Sequence, residues 1–197
     1  MKCERIPLGA QGAYLDTYFL ADSPELKAGA CRPAVVVCPG GGYAYTSDRE
    51  AEPIALALCA RGFHACVLRY PCAPARFPAA LRALAEAVAW VRAGAAENHV
   101  DPRQISVCGF SAGGHLAGSL GVFWNAPFLA AETGLAPQDM RPDKMVLCYP
   151  VITGGEFAHK GSFDNLLGAD ADAARRAEVS LEQHVTQDTP PAFLWHT

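Results

Sequence analysis

The chain has 197 residues and a formal net charge of −4; 51% of its residues are apolar and 18% are charged. That is long enough for one domain with a substantial core, and the balance excludes a disordered or fibrous chain. The acidic surplus offers no basic face to nucleic acid. No run approaches the ~18 continuous apolar residues of a membrane span, and "MKCERIPLGAQGAYLD" carries no apolar stretch behind its positive residues to make a signal peptide. A cytoplasmic protein is expected, with neither nucleic acid nor membrane as partner.

In chain order, strand and helix patterns alternate. Residues 12–20, "GAYLDTYFL", alternate apolar and polar side chains after Ala13 and predict an antiparallel or edge strand. "ADSPELKAGACRP" is a turn-rich connector. "AVVVC" (34–38) is a β-branched run suited to a strand buried on both faces. A glycine-rich loop, "PGGGYAYTS", leads to a helix over roughly 50–61 with Pro53 in its first turn. "FHACVLRY" (63–70) is the next strand and "PCAPARFP" a loop. Residues 79–97 make the clearest helix, with Leu81, Leu84, Val88 and Val91 on one stripe. "ISVCGF" resumes the sheet, a helix follows over about 112–124, and a Pro/Gly-rich stretch runs to Asp143. "KMVLCYP" is another buried strand, 151–189 is mixed and polar with short helical pieces near "SFDNLLG" and "ADAARRAE", and "PAFLWH" is the last strand visible. The alternation implies an α/β fold on a mostly parallel sheet with helices on both faces. Residues 1–197 read as a single domain, with 151–189 as a cap or variable segment.

Two turns carry chemistry. Gly109-Phe110-Ser111-Ala112-Gly113 matches G-x-S-x-G between a buried strand and a helix. Such a turn holds the serine in a strained conformation, lifts its hydroxyl above the sheet and aims the next N–H at a developing oxyanion. The competing reading is a glycine-rich helix N-terminus capped by serine. The second turn, "CPGGGY", also follows a buried strand directly, and its glycines let the backbone approach a ligand closely. A dinucleotide fingerprint starting at Gly40 fails because Tyr45 stands where the last glycine belongs, and no Gly-Lys-Ser/Thr ending makes a P-loop. The eight cysteines show no C-x-x-C or zinc-finger spacing and read as core thiols. Cys38, Cys108 and Cys148 fall near strand ends, where they can lie at similar height in one sheet.

The segments "VVVCPGGGY", "SDREAEPIALALCARGFHACVLRY", "FPAALRALAEAVAWVR" and "VDPRQISVCGFSAGGHLAGSL" together resemble the acetyl esterase/lipase-like α/β-hydrolases of bacteria, xylan-esterase types related to the hormone-sensitive-lipase group. One departure is visible: Pro39 stands where those relatives usually carry the histidine of His-Gly-Gly-Gly. The resemblance implies an α/β-hydrolase fold with Ser111 as nucleophile. It also implies an oxyanion hole from the amides of Gly41, Gly42 and Ala112, and no metal or organic cofactor. Tyr43, Tyr45 and Phe110 are then expected to help close a small substrate pocket, or else simply to pack around the glycine turns. The substrate expected is a small-molecule ester with a short acyl group, such as acetyl on a carbohydrate.

A serine nucleophile needs a general base oriented by a third group. In this fold the order is serine, acid, histidine, and the acid normally follows the strand read at 192–196. The acid and base are therefore expected beyond Thr197, with a final strand and helix lacking from this sequence. Of the histidines present, His196 is the best placed because strand carboxyl ends face the crevice. His115 is expected to pack against the sheet, and His159 and His184 to be exposed. Asp164 and Asp188 read as solvated loop carboxylates. An uncovered edge at 192–196 is expected to self-associate, giving a homo-oligomer. Two readings compete with an esterase: an aminopeptidase-like serine hydrolase on the same fold, and a catalytically silent binding module.

Overall fold

A computed structural model describes residues 1–9 and 12–196. Its strands are β1 (Lys2–Pro7), β2 (Tyr14–Phe19), β3 (Arg32–Cys38), β4 (His64–Arg69), β5 (Val100–Phe110), β6 (Lys144–Cys148) and β7 (Ala192–Trp195). They form one sheet in the order β1-β2-β4-β3-β5-β6-β7. β1 and β2 pair antiparallel, β2 joins β4 antiparallel, and every pairing from β4 to β7 is parallel.

The central strands alternate cleanly between two faces. Ala34, Val36 and Cys38 of β3, Cys66 and Leu68 of β4, and Ile105 and Val107 of β5 turn to one side. There they meet α3 (Ala79–Ala93) and α4 (Ala112–Phe123). Val35, Val37, Ala65, Val67, Cys108 and Phe110 turn to the other side, against Ala55 and Cys59 of α2 (Glu52–Cys59), the helix that follows the single turn α1 (Pro24–Lys27) and β3. A strand buried on both faces needs a continuous apolar run rather than an alternating one, which is why 34–38 carries no polar residue. Each such Val or Leu contributes about 1.5–3 kcal/mol on burial.

The helix α3 buries Leu81, Leu84, Val88 and Val91 and stops at Gly94, short of the expected 97. Strand β5 begins at Val100, five residues before the apolar run that announced it. The expected irregular stretch after α4 contains two short helices, α5 (Pro127–Thr133) and α6 (Pro137–Met140), each opened by a proline in its first turn. The edge strand β1 was not expected at all: almost all of its residues are exposed, so it has no burial pattern to read.

α4 is buried on nearly every side. Its glycines permit this: a Cβ on Gly121 would meet Met145 Sδ at 2.1 Å, and one on Gly118 would meet Leu181 Cδ1 at 2.6 Å. Within it lies His115, 1% exposed. Its Nε2 lies 2.8 Å from the Val179 carbonyl, which can only accept, so Nε2 carries the proton. Nδ1 therefore accepts from the Tyr43 hydroxyl, also at 2.8 Å. This neutral imidazole joins α4 to the loop after β3 and to the connector between β6 and β7. Among the described residues, no helix is long and apolar enough to cross a membrane.

Burial lowers the pKa of His115 to about 4, while an unfolded chain titrates near the ordinary value of about 6.5. The unfolded state then binds more protons below pH 6.5, so stability must fall as pH drops from there towards 4, by on the order of 3 kcal/mol. His64, lowered by burial as well, acts in the same direction. Urea unfolding across pH 7 to 4.5 should show this slope and show it reduced in His115→Gln; an unchanged slope would contradict the assignment. In the same assay Leu84→Ala should cost about 2–5 kcal/mol. Lys2→Ala, which removes an exposed pair with Glu4, should cost less than about 1 kcal/mol.

Candidate active site

From β3 the chain crosses through α2 to β4 on one side, then through α3 to β5 on the other. The carboxyl ends of β3 and β5 are thus the point where the winding reverses, the place at which open α/β sheets bind their ligands. Both glycine-rich turns sit at this point, one after each strand.

After β5 the chain bends sharply. Ser111 has φ 53° and ψ −118°, a region costly for any residue but glycine. Its backbone is held from both sides: its N–H donates to the Cys148 carbonyl at 3.1 Å, and its carbonyl accepts from Val151 N–H at 3.0 Å and His115 N–H at 3.1 Å. The flanking glycines make the bend sterically feasible. A Cβ on Gly109 would lie 2.1 Å from the Gly113 carbonyl oxygen. One on Gly113 would lie 2.0 Å from the Cys38 carbonyl oxygen. The two turns are in contact, since a Cβ built on Gly40 would stand 3.2 Å from Ser111 Cβ.

The bend after β3 is tied down by its carbonyls. Pro39 O accepts from the Tyr70 hydroxyl at 2.5 Å, Gly40 O from Ser47 N–H at 2.9 Å and Gly41 O from Ala44 N–H at 3.0 Å. Gly42 O accepts from Asn165 Nδ2 at 2.9 Å and Tyr43 O from Ala73 N–H at 2.8 Å. In a trans peptide the N–H points opposite to the C=O. Fixing the carbonyls of Gly40 and Gly41 therefore fixes the N–H directions of Gly41 and Gly42. Gly41, at φ 128°, takes a conformation that only glycine adopts readily. Among the described residues the amides of Gly41, Gly42 and Ala112 have no hydrogen-bond acceptor. The arrangement can stabilise negative charge on an oxygen beside the Ser111 side chain.

The three aromatic residues expected near a pocket take different places. Tyr43 is 3% exposed and gives its hydroxyl to His115, so it supports the bend from beneath rather than lining a pocket. Tyr45 is 58% exposed, with its ring beside Gly41. Phe110 is almost buried, 6.0 Å from the Tyr149 ring. His184 is half-buried against Phe123 at 4.7 Å, not exposed as expected, whereas His159 is exposed and bonds Ser162 Oγ. Asp164 is no loop carboxylate: it lies in α7 (Lys160–Leu167) and pairs with Arg176 at 2.6 Å. His196 follows β7 at the sheet edge, where Phe193 and Leu194 are exposed; Thr197 lies outside the described residues. Among the described residues, no histidine or carboxyl group hydrogen-bonds the Ser111 hydroxyl.

The three strand-end cysteines do lie at similar height, since Cys38 pairs with Gly109, Cys108 with Val37 and Cys148 with Phe110. Cys38, however, faces α3 and α4 while the other two face α2. No group of three or more metal-binding side chains occurs among the described residues. The sequence reading missed Glu50 and Asn165, two of the three side chains that bond the backbone of the bend, the third being Tyr70. Neither belongs to a recognisable motif, and only the folded chain brings Asn165 to Gly42.

Comparison with known proteins agrees with this architecture. Residues 22–197 match the BD-FAE family. Endo-1,4-beta-xylanase B of Butyrivibrio fibrisolvens is 35% identical over 175 residues, 84% of this chain and 27% of that protein. Acetylxylan esterase of Xylanibacter ruminicola is 28% identical over 186 residues, 89% of this chain and 34% of that protein. The chain thus spans about a third or less of these curated relatives. Among solved structures, the acetyl ester-xyloside bifunctional hydrolase from Caldicellulosiruptor lactoaceticus superposes with a TM-score of 0.81 at 37% identity, covering 94% of this chain and 66% of that one. The carboxylesterase Cest-2923 from Lactobacillus plantarum gives 0.83 at 29% identity, covering 99% and 71%. Matched along most of its length and folded as these esterases fold, the chain belongs to the BD-FAE family and has the α/β-hydrolase fold.

Proposed function

We propose that the protein is a serine carboxylic-ester hydrolase working through an acyl-enzyme on Ser111. The observation that carries this reading is the contact of the strained Ser111 with a bend whose Gly41 and Gly42 amides, with that of Ala112, find no acceptor among the described residues. A general base takes the Ser111 hydroxyl proton as Oγ attacks the ester carbonyl carbon. The carbonyl π pair moves to oxygen, and the oxyanion accepts from the three amides. The tetrahedral adduct then collapses, the C–O bond to the alcohol breaks, and the alcohol leaves with the proton. Water repeats the sequence on the acyl-enzyme and frees the acid. Each preorganised donor is worth roughly 2.7–4 kcal/mol in the transition state.

His115 is not the base in this scheme, because both of its ring nitrogens are committed inside the fold. A short acyl group on a carbohydrate is the substrate class supported by the names of two relatives, an acetylxylan esterase and an acetyl ester-xyloside hydrolase. Tyr45, exposed beside Gly41, offers an aromatic face at the mouth of the site. The connector 151–189 then acts as the cover on the bend side, through α7.

The test is covalent labelling by a fluorophosphonate together with hydrolysis of an aryl acetate, on the protein in its natural full-length context. Label should map to Ser111, and Ser111→Ala should abolish labelling and lower turnover roughly ten-thousand-fold or more. Parent-like turnover in Ser111→Ala ends the reading. A folded full-length protein that neither labels nor hydrolyses favours a silent binding module, and preference for aminoacyl anilides over aryl acetates favours the peptidase alternative.

A further inference from the structure

We infer that Glu50 is a positioning residue of the Gly40–Gly42 bend, tying it to the same strand end that anchors Ser111. The inference rests on reading that bend as the oxyanion site. Glu50 Oε2 accepts from the Gly40 N–H at 2.8 Å, and Oε1 accepts from the Tyr149 hydroxyl at 2.9 Å. Tyr149 directly follows Cys148, whose carbonyl holds the Ser111 N–H. One carboxyl group therefore spans from the donor bend to the segment that fixes the nucleophile.

Gly40 is where these parts converge. The space a Cβ would fill there is 2.7 Å from Glu50 Oε2, 2.8 Å from the Phe110 carbonyl oxygen and 3.2 Å from Ser111 Cβ. The peptide joining Pro39 and Gly40 is gripped at both poles, its carbonyl by the Tyr70 hydroxyl and its N–H by Glu50. Glu50 ends a short 3-10 turn, Asp48–Glu50, and Ser47, just before that turn, donates its N–H to Gly40 O. Arg69 steadies the turn through Thr46 and Asp48. Releasing Glu50 leaves Gly40 held on its carbonyl alone, so the bend can shift as a unit by a fraction of an ångström and carry the Gly41 and Gly42 N–H groups off a shared oxygen.

A carboxyl group suits the position because two donors face it and it offers two acceptors. Glutamine keeps one acceptor for Gly40, and its amide can donate to a reversed Tyr149 hydroxyl. The bond to Gly40 thus survives in Glu50→Gln and is lost in Glu50→Ala.

In the full-length protein with an aryl acetate, Glu50→Ala should lower kcat about 10- to 100-fold, as expected of donors displaced by a fraction of an ångström. KM should stay within about threefold, because the donors serve the transition state rather than ground-state binding. Glu50→Gln should recover most of kcat, and Tyr149→Phe, which frees one carboxyl oxygen, should fall between. Hydrogen exchange read by mass spectrometry on a peptide covering 40–43 should be faster in Glu50→Ala than in the parent. Unchanged exchange there overturns the inference whatever the activity. So does parent-like kcat in folded Glu50→Ala, or a Glu50→Gln as impaired as the alanine variant. If Glu50→Ala does not fold, Tyr149→Phe decides by the same two readouts, and parent-like values count against. Parent-like turnover in Ser111→Ala sinks the esterase reading instead, and the exchange result still judges Glu50 by itself.

Discussion

The site depends on a place where two stretches of main chain meet with no side chain between them. Gly113, in the first turn of α4, lies against the carbonyl oxygens of Cys38 and Pro39, where a Cβ would be 2.0 and 2.5 Å away. Any larger residue forces the helix off the end of β3, since both obstacles are backbone and cannot rotate aside. That contact sets the height of α4 above the sheet and brings the bend after β3 within reach of the turn after β5. Gly109 does the complementary work from the strand side, giving room for the Gly113 carbonyl as the chain reverses. Overpacking of this kind costs typically 1–3 kcal/mol where neighbours can yield, and here they cannot.

Proximity alone would leave the bend free to rotate, and its polar bonds remove that freedom. Five consecutive carbonyls, Pro39 to Tyr43, each find a donor, drawn from a tyrosine, an asparagine and three backbone amides. Beneath them Tyr43 stands on His115, and burial raises the pKa of its hydroxyl well above the usual tyrosine range. Each bond contributes little net stability, about 0.5–1.5 kcal/mol. Their larger effect is on direction: they settle which way the unpaired amides point before any ligand arrives, and preorganisation of that kind is what makes fixed dipoles effective against a developing charge.

Much of this was legible in the sequence. "AVVVC" and "SVCGF" announce strands buried on both faces, and the glycines at 109 and 113 announce a turn with no room for side chains. The stripe of Leu81, Leu84, Val88 and Val91 places the packed side of α3. Other features escaped for physical reasons. β1 pairs only along an exposed edge and leaves no hydrophobic period to detect. The N-terminal half of β5 passes through Asp101, Pro102 and Arg103, residues typical of turns. The strand is recovered there only because the chain must run on from Val100, which pairs with Arg32. Tyr43 read as a pocket residue because aromatic side chains near glycine turns often face a ligand. Only the position of His115, 72 residues later in the chain, shows that its hydroxyl is already engaged.

The connector between β6 and β7 reads in the sequence as a polar cap or variable segment, yet one contact binds it to the bend directly and two more bind it to His115, on which Tyr43 of the bend rests. Asn165 holds the Gly42 carbonyl, Phe163 packs edge-on against His115 at 5.5 Å, and the Val179 carbonyl takes the His115 proton. The connector and the donor bend therefore share a single buried imidazole. A substitution in α7 that displaces Asn165 also frees the Gly42 carbonyl, which lies on the peptide following the Gly42 N–H, so the packing of α7 and the exit of the bend cannot vary independently. That coupling gives the polar segment its place in the fold: it holds the exit of the glycine bend through Asn165 and its floor through His115.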